Sequence, residues 1–140
     1  MRMYSFSTNM LYSRQDVAEI VGMNPIPTPR TGSTWFTGYT RYNDALFIFC
    51  GVNASGRTGH NYDNHFDGDE LIWSGKTNSH QNQPIIQAMI SSGAEVHLFW
   101  REDNRQKFNY AGLAYPVSVS DSKPVIIRWR FDSSEEAEVN

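Results

Sequence analysis

The sequence predicts an α+β domain: a curved, barrel-like, mostly antiparallel sheet of six or seven short strands with two short helices. Three observations carry that expectation. Runs rich in aromatic and β-branched residues recur along the chain, two stretches have helical spacing, and 140 residues with 39% hydrophobic side chains suffice for one core but not two. Curvature is expected because a flat open sheet of that many strands would expose its edges.

The first helix is read from Ser13, which precedes Asp16, Val17, Ile20 and Val21. Ser13 would accept from a free backbone N–H and Gly22 would close the far end. Met23 to Ser33 holds Pro25, Pro27, Pro29 and Gly32, so an extended loop is expected there. Thr34 to Thr40 and Ala45 to Gly51 read as the two strands of a hairpin around the turn Arg41-Tyr42-Asn43-Asp44. Val52 to Gly68, with three glycines among Asn, Asp and His, reads as a long loop of the kind that carries function. A short strand over Glu70 to Trp73 follows. Pro84 then suits a first helical turn, and Ile85, Ile86, Met89 and Ile90 recur at helical spacing before Gly93. From Glu95 the period changes to two: Val96, Leu98 and Trp100 alternate with His97, Phe99 and Arg101, and a charged turn from Glu102 to Lys107 leads into Phe108 to Ala114. Val117 to Val119 and Val125 to Phe131 add two strands around Ser120 to Lys123, with Val125, Ile127, Trp129 and Phe131 on one face and Arg128 and Arg130 on the other.

Charge excludes one class of partner binding. Four of the 15 acidic residues lie within 132–140, so residues 1–131 carry 12 basic against 11 acidic side chains. A nearly neutral body argues against nucleic-acid binding by bulk charge, though not against a reader that works through one pocket. No apolar run approaches the roughly 18–20 residues of a membrane span, and Met1 to Thr8 do not form a secretory signal, so no membrane partner is expected. The lone Cys50, inside an apolar run, reads as a small core residue, and a reducing, cytoplasmic setting is expected.

Enzymatic chemistry finds little support. A Glu-x-Lys pair of the nuclease type is missing, since Ile72, His97 and Asn104 stand two positions after Glu70, Glu95 and Glu102, and His60-Asn61 is no His-Asn-His centre. No Gly-x-Ser-x-Gly elbow occurs. Asp63, His65, Asp67 and Gly68 imitate the opening of a calcium loop, but Ser74 stands where the bidentate glutamate belongs, and one cysteine with four scattered histidines gives no zinc spacing. No catalytic residue, metal or cofactor is therefore expected. Backbone-bonding polar loops account for such segments.

The densest cluster of unusual residues is His60 to Phe66, followed by Trp73 to His80. It mixes flat rings with short polar groups, the two things a pocket for a planar heterocycle needs: faces to stack on, and donors and acceptors to read an edge. Trp35, Tyr39 and Tyr42 offer a further wall. Against this stand two plainer readings: aromatics at strand positions are usually core, and residues 74–80 suit a solvated strand-to-helix connection.

At these residues a resemblance appears. Tyr12-Ser13-Arg14-x-x-Val17, Phe47-Ile48-Phe49, Tyr62-Asp63-Asn64-His65-Phe66, Trp73-Ser74, Val96 to Arg101 and Phe108-Asn109-Tyr110-Ala111-Gly112, in this order, resemble the small domains attached to helicases and nucleases in bacterial modification-dependent restriction proteins. The likeness covers roughly residues 11–131 and implies an SRA-like or PUA-like fold that holds an extruded modified base, commonly 5-methylcytosine. The chain departs from that pattern at Asp63-Asn64-His65, where the family tends to place an acidic pair and a basic residue.

The resemblance implies a non-catalytic module, residues 1–131, with 132–140 as an acidic disordered tail. Its expected partners are double-stranded DNA carrying a modified base and a restriction nuclease or helicase in the same chain or complex. The base-binding candidates are Tyr62, Asp63, His65, Trp73, Ser74 and Asn78, with Trp35 and Tyr39 beside them. Asp63 would accept from a base amino group while the rings sandwich the base. Arg30, Arg41, Arg57 and Lys76 would touch phosphates. Two other readings stay open: a B3-like domain that reads unmodified sequence through the major groove, and a protein-interaction or small-ligand module with no DNA binding.

Overall fold

A computed structural model describes residues 2–31, 34–53 and 64–132. Along these residues run β1 (Leu11–Tyr12), α1 (Arg14–Ile20), β2 (Tyr39–Tyr42), β3 (Ala45–Gly51), β4 (His65–Asp67), β5 (Glu70–Ser74), α2 (Pro84–Ile90), β6 (Glu95–Arg101), β7 (Phe108–Val119) and β8 (Ile126–Asp132). The architecture is α+β, as the sequence predicts, with one strand more than expected.

The helices start for local reasons. Ser13 Oγ accepts from the Asp16 N–H (2.9 Å) while the Asp16 carboxylate accepts from the Ser13 N–H (2.8 Å), a reciprocal cap that uses two otherwise unpaired donors. Pro84 opens α2, where a missing N–H costs nothing. Gly22 and Gly93, both at positive φ, follow the two helices.

The strands form one sheet in the order β2-β3-β6-β7-β8-β5-β4, with β1 pairing to the start of β7. Only β3 and β6 pair in parallel. In a flat sheet β2 and β5, five places apart, would lie ~24 Å from each other. Instead the rings of Tyr39 on β2 and Trp73 on β5 have centroids 5.3 Å apart. The sheet therefore curls until its two ends nearly meet, leaving an open seam instead of a closed barrel.

Curling gives β3 two buried faces. Leu46, Ile48 and Cys50 point into the interior with Val96, Leu98, Leu71, Trp73, Ile127 and Trp129, and Ile86 and Met89 of α2 pack against the same cluster. Ala45, Phe47 and Phe49 face outward into a second core with Phe6, Tyr12, Val17, Trp35, Phe99, Phe108 and Tyr110. The parallel register sets Phe47 beside His97 and Phe49 beside Phe99, and both ring pairs stack, at 5.4 and 5.1 Å.

Four expectations are corrected. Thr34–Phe36 is a 3-10 turn, as is Pro29–Thr31, and the strand begins only at Tyr39. The hairpin turn narrows to Asn43-Asp44, with Asn43 at positive φ, because Arg41 and Tyr42 pair with Leu46 and Ala45. Part of the expected long loop is β4. The strands read separately around Pro116 are one: the register shifts between Pro116 and Ser118, so Val117 bulges out at 49% exposure and the strand continues past the proline.

Candidate functional site

The seam builds a pocket. Gly51 ends β3, Asn64 precedes β4, and Ser74 ends β5, and one amide side chain ties these ends together. Asn64 Nδ2 donates to the Gly51 carbonyl (3.0 Å) and its Oδ1 accepts from the Ser74 N–H (2.8 Å), while its own carbonyl accepts from the Asn53 N–H. Asn64 is 7% exposed and its amide is a structural clasp. The clasp still leaves one N–H and one lone pair of the amide unused by these bonds.

Across the seam, the Tyr39 hydroxyl accepts from the Lys76 N–H (3.2 Å), and Lys76 Nζ lies 4.6 Å from the centre of the Tyr39 ring. Partial desolvation against the Tyr39 ring lowers the ammonium of the otherwise exposed Lys76 below its usual range. Gly75 has no room for a side chain: a Cβ there would meet Ser79 Oγ at 2.4 Å. Ser79 Oγ and carbonyl both accept from the Val125 N–H, which locks the segment after β5 onto the strand leading into β8.

The resulting cavity, about 250 Å³, is lined by Thr37, Tyr39, Asn64, Trp73, Ser74 and Lys76 together with the end of β3 from Phe49 to Gly51. Drug-sized ligand clefts run from roughly 300 to 1,000 Å³, so this one suits a single small ring. Aromatic walls, a carbonyl-and-amide rim and one cation describe a site for a planar polar heterocycle. Burial pushes the Cys50 thiol at its edge up to about 12, which keeps it a protonated, unreactive packing group.

Of the expected base-binding residues, Tyr39, Trp73 and Ser74 meet here, as does Lys76 from the expected phosphate set. Tyr39 and Trp73 cross at 73°, edge to face, so they form a corner and cannot sandwich one ring between them. Trp35 is not at this site. It packs on Phe47 and Phe49 in the outer core and donates from Nε1 to the Arg14 carbonyl (2.6 Å). His65 on β4 pairs with Ile72 of β5, Asn78 is exposed in the turn after β5, and neither lines the pocket. Arg30 and Arg41 are exposed, Arg41 beside a separate cavity of about 330 Å³ next to Trp35. Tyr62, Asp63 and Arg57 lie outside the described residues. Asp67, read in the calcium-like run, gives its carboxylate to Arg128, which also holds Glu70 (2.7 Å).

Sequence reasoning missed Asn64 and Thr37 as site residues, since neither sits in a periodic pattern. It also missed a buried chain on the other face. His97 is fully buried, with Nε2 2.7 Å from Glu95 Oε2 and Nδ1 2.8 Å from the Tyr110 hydroxyl. Burial lowers the His97 pKa, and although burial also works to raise Glu95, hydrogen bonds from His97 and from the Met3 and Tyr4 amides bring that carboxyl down. At neutral pH the carboxylate therefore accepts from a neutral imidazole's Nε2–H, and the Tyr110 O–H donates to Nδ1. This chain fastens residues 3–6 to the sheet.

No helix among the described residues is long and apolar enough to cross a membrane. A family model described as "Domain of unknown function (DUF3427)" matches residues 6–136. No curated protein matches the chain.

Proposed function

The chain belongs to the DUF3427 family, and we propose that it is a non-catalytic DNA-binding module that draws one modified base, a modified cytosine such as 5-methylcytosine, out of the duplex and into the seam pocket. In this reading the module brings a restriction nuclease or helicase, in the same chain or complex, to modified DNA. The observation that carries the reading is the seam itself: a cavity sized for one ring, cornered by Tyr39 and Trp73 and rimmed by Asn64, Ser74 and Lys76.

Extrusion costs a few kcal/mol, and stacking on an aromatic side chain returns about 1–3 kcal/mol per base. The base lies flat on one ring of the corner and abuts the edge of the other. Its polar edge meets the unused N–H and lone pair of Asn64 and the Ser74 hydroxyl. Lys76 at the mouth and the exposed Arg30 and Arg41 take phosphates, which position the duplex without reading it.

Competition among three duplexes, alike except for one cytosine that is methylated, hydroxymethylated or plain, tests this reading. The expected result is at least a tenfold preference for a modified duplex. Equal affinity for all three would favour the B3-like alternative, and the absence of salt-dependent binding at micromolar protein would favour a small-ligand or protein-interaction module.

A further inference from the structure

A further cleft, unrelated to the seam, lies on the ring-rich face between the start of α1 and the β6–β7 hairpin. Its volume is about 270 Å³, its lining includes Arg14, Arg101, Arg105 and Lys107 with Phe36 and Phe108, and among the described residues no carboxylate lines it.

Arg14 is the unusual member. Its guanidinium carbon lies 5.1 Å from the centre of the Phe108 ring, 5.4 Å from Phe49 and 5.7 Å from Phe36. Its Nε is buried with no hydrogen-bond partner among the described residues. An unpartnered buried donor is costly, and native structures rarely keep one. The Arg101 guanidinium carbon lies 4.1 Å from the centre of the same Phe108 ring, and its Nη1 donates to the Gln106 carbonyl (2.9 Å). Burial and the nearby charge of Arg101 together lower Arg14 to about 10. Of the other two cations, Lys107 Nζ is 3.0 Å from Asp16, and Arg105 grips Asp103 with two nitrogens.

We propose that this cleft binds a phosphate group, whose oxygens accept from the Arg14 and Arg101 guanidiniums, both of which lie against Phe108. Planar guanidiniums held against aromatic rings have little rotamer freedom left to lose, so their forks are pre-formed for an oxyanion. A carboxylate has two oxygens and is filled by one fork. A tetrahedral phosphate has enough oxygens for both, and it gains further from the other two cations. The site does not depend on base extrusion and stands if the seam pocket proves to hold something else. Both a backbone phosphodiester and a free or terminal phosphate carry the required chemistry.

The test follows the Arg14 Nε–H resonance of the whole chain by NMR while inorganic phosphate, then acetate at the same ionic strength, is added. Phosphate should shift it saturably and acetate at least tenfold more weakly. Arg101→Gln, at a part-exposed position whose fold the amide spectrum verifies, should weaken phosphate binding at least tenfold, and Arg14→Lys should weaken it with the charge retained. Absence of a saturable shift, an equal response to acetate, or an unchanged affinity in Arg101→Gln overturns the proposal. A duplex without terminal phosphates that shifts the same resonance identifies the source as backbone phosphate. If inorganic phosphate alone does so, the source is a monoester.

Discussion

The two faces of the β3–β6 pair use the same strands to opposite ends. On the outer face every ring finds a ring: Phe6 packs edge-on to Tyr12 and Phe99, Phe47 stacks with His97, and Trp35 closes over Phe47 and Phe49. The inner face, mainly aliphatic, runs into the seam, where the curled sheet fails to close and Asn64 clasps the ends. Aromatic richness alone therefore does not mark a binding site. Trp35 and Trp73 are equally buried, at 2% exposure, and each borders a cavity, but the one beside Trp73 lies at the topological gap in the sheet.

The largest expected effect that separates the faces is on stability. Phe99→Ala removes the ring stacked on Phe49 and should lower unfolding free energy by about 3–5 kcal/mol in urea titration. At a temperature where the variant remains folded, its preference among the duplexes should be unchanged. A lost preference in folded protein would break the division between the faces.

A smaller effect comes from the His97 chain. Because His97 in the folded protein titrates below its ordinary 6.5, the unfolded chain takes up the proton first. Stability is full above about pH 6.5 and falls as pH drops through that value toward the folded pKa. Glu95, also lowered, adds a second loss below about pH 4.5. The urea midpoint should fall between pH 7.5 and 5.5, and His97→Gln should remove that part of the slope. An unchanged midpoint in the native chain would mean that the imidazole is charged or exposed. Tyr110→Phe, which takes the donor from Nδ1, should cost about 1–3 kcal/mol.

The smallest stability effect is expected at the seam mouth. Lys76 is exposed, so Lys76→Gln should change stability by no more than about 0.5 kcal/mol. In the proposed function it should weaken all DNA binding and reduce the salt slope by about one. An unchanged slope would remove Lys76 from the phosphate path.

Where local chemistry decides structure, the sequence was legible. Ser13 and Asp16 announced α1, and the bounds of β3 and β6 follow from apolar and alternating runs. Where distant groups decide it, reading failed. Thr34 to Phe36 has strand-like composition, yet Trp35 is drawn into a 3-10 turn by the outer core and by the Arg14 carbonyl. Tyr4 and Phe6 carry no periodicity and are held by Glu95 and His97 respectively, about ninety residues away. At the site, Trp73, Ser74 and Tyr39 were legible as rings beside short polar groups. Asn64 was not singled out, because a clasp between two strand ends leaves no pattern in a sequence. The Arg14–Arg101 cleft was hidden for the same reason: its halves are a helix start and a hairpin far apart in the chain.

The central claim is tested most directly by a crystal structure of the chain bound to a duplex carrying one 5-methylcytosine on a single strand. The extruded pyrimidine should lie in the corner between Tyr39 and Trp73, with its edge toward Asn64 and Ser74. A methylcytosine still stacked and paired within the helix, with the seam holding no base, would contradict it.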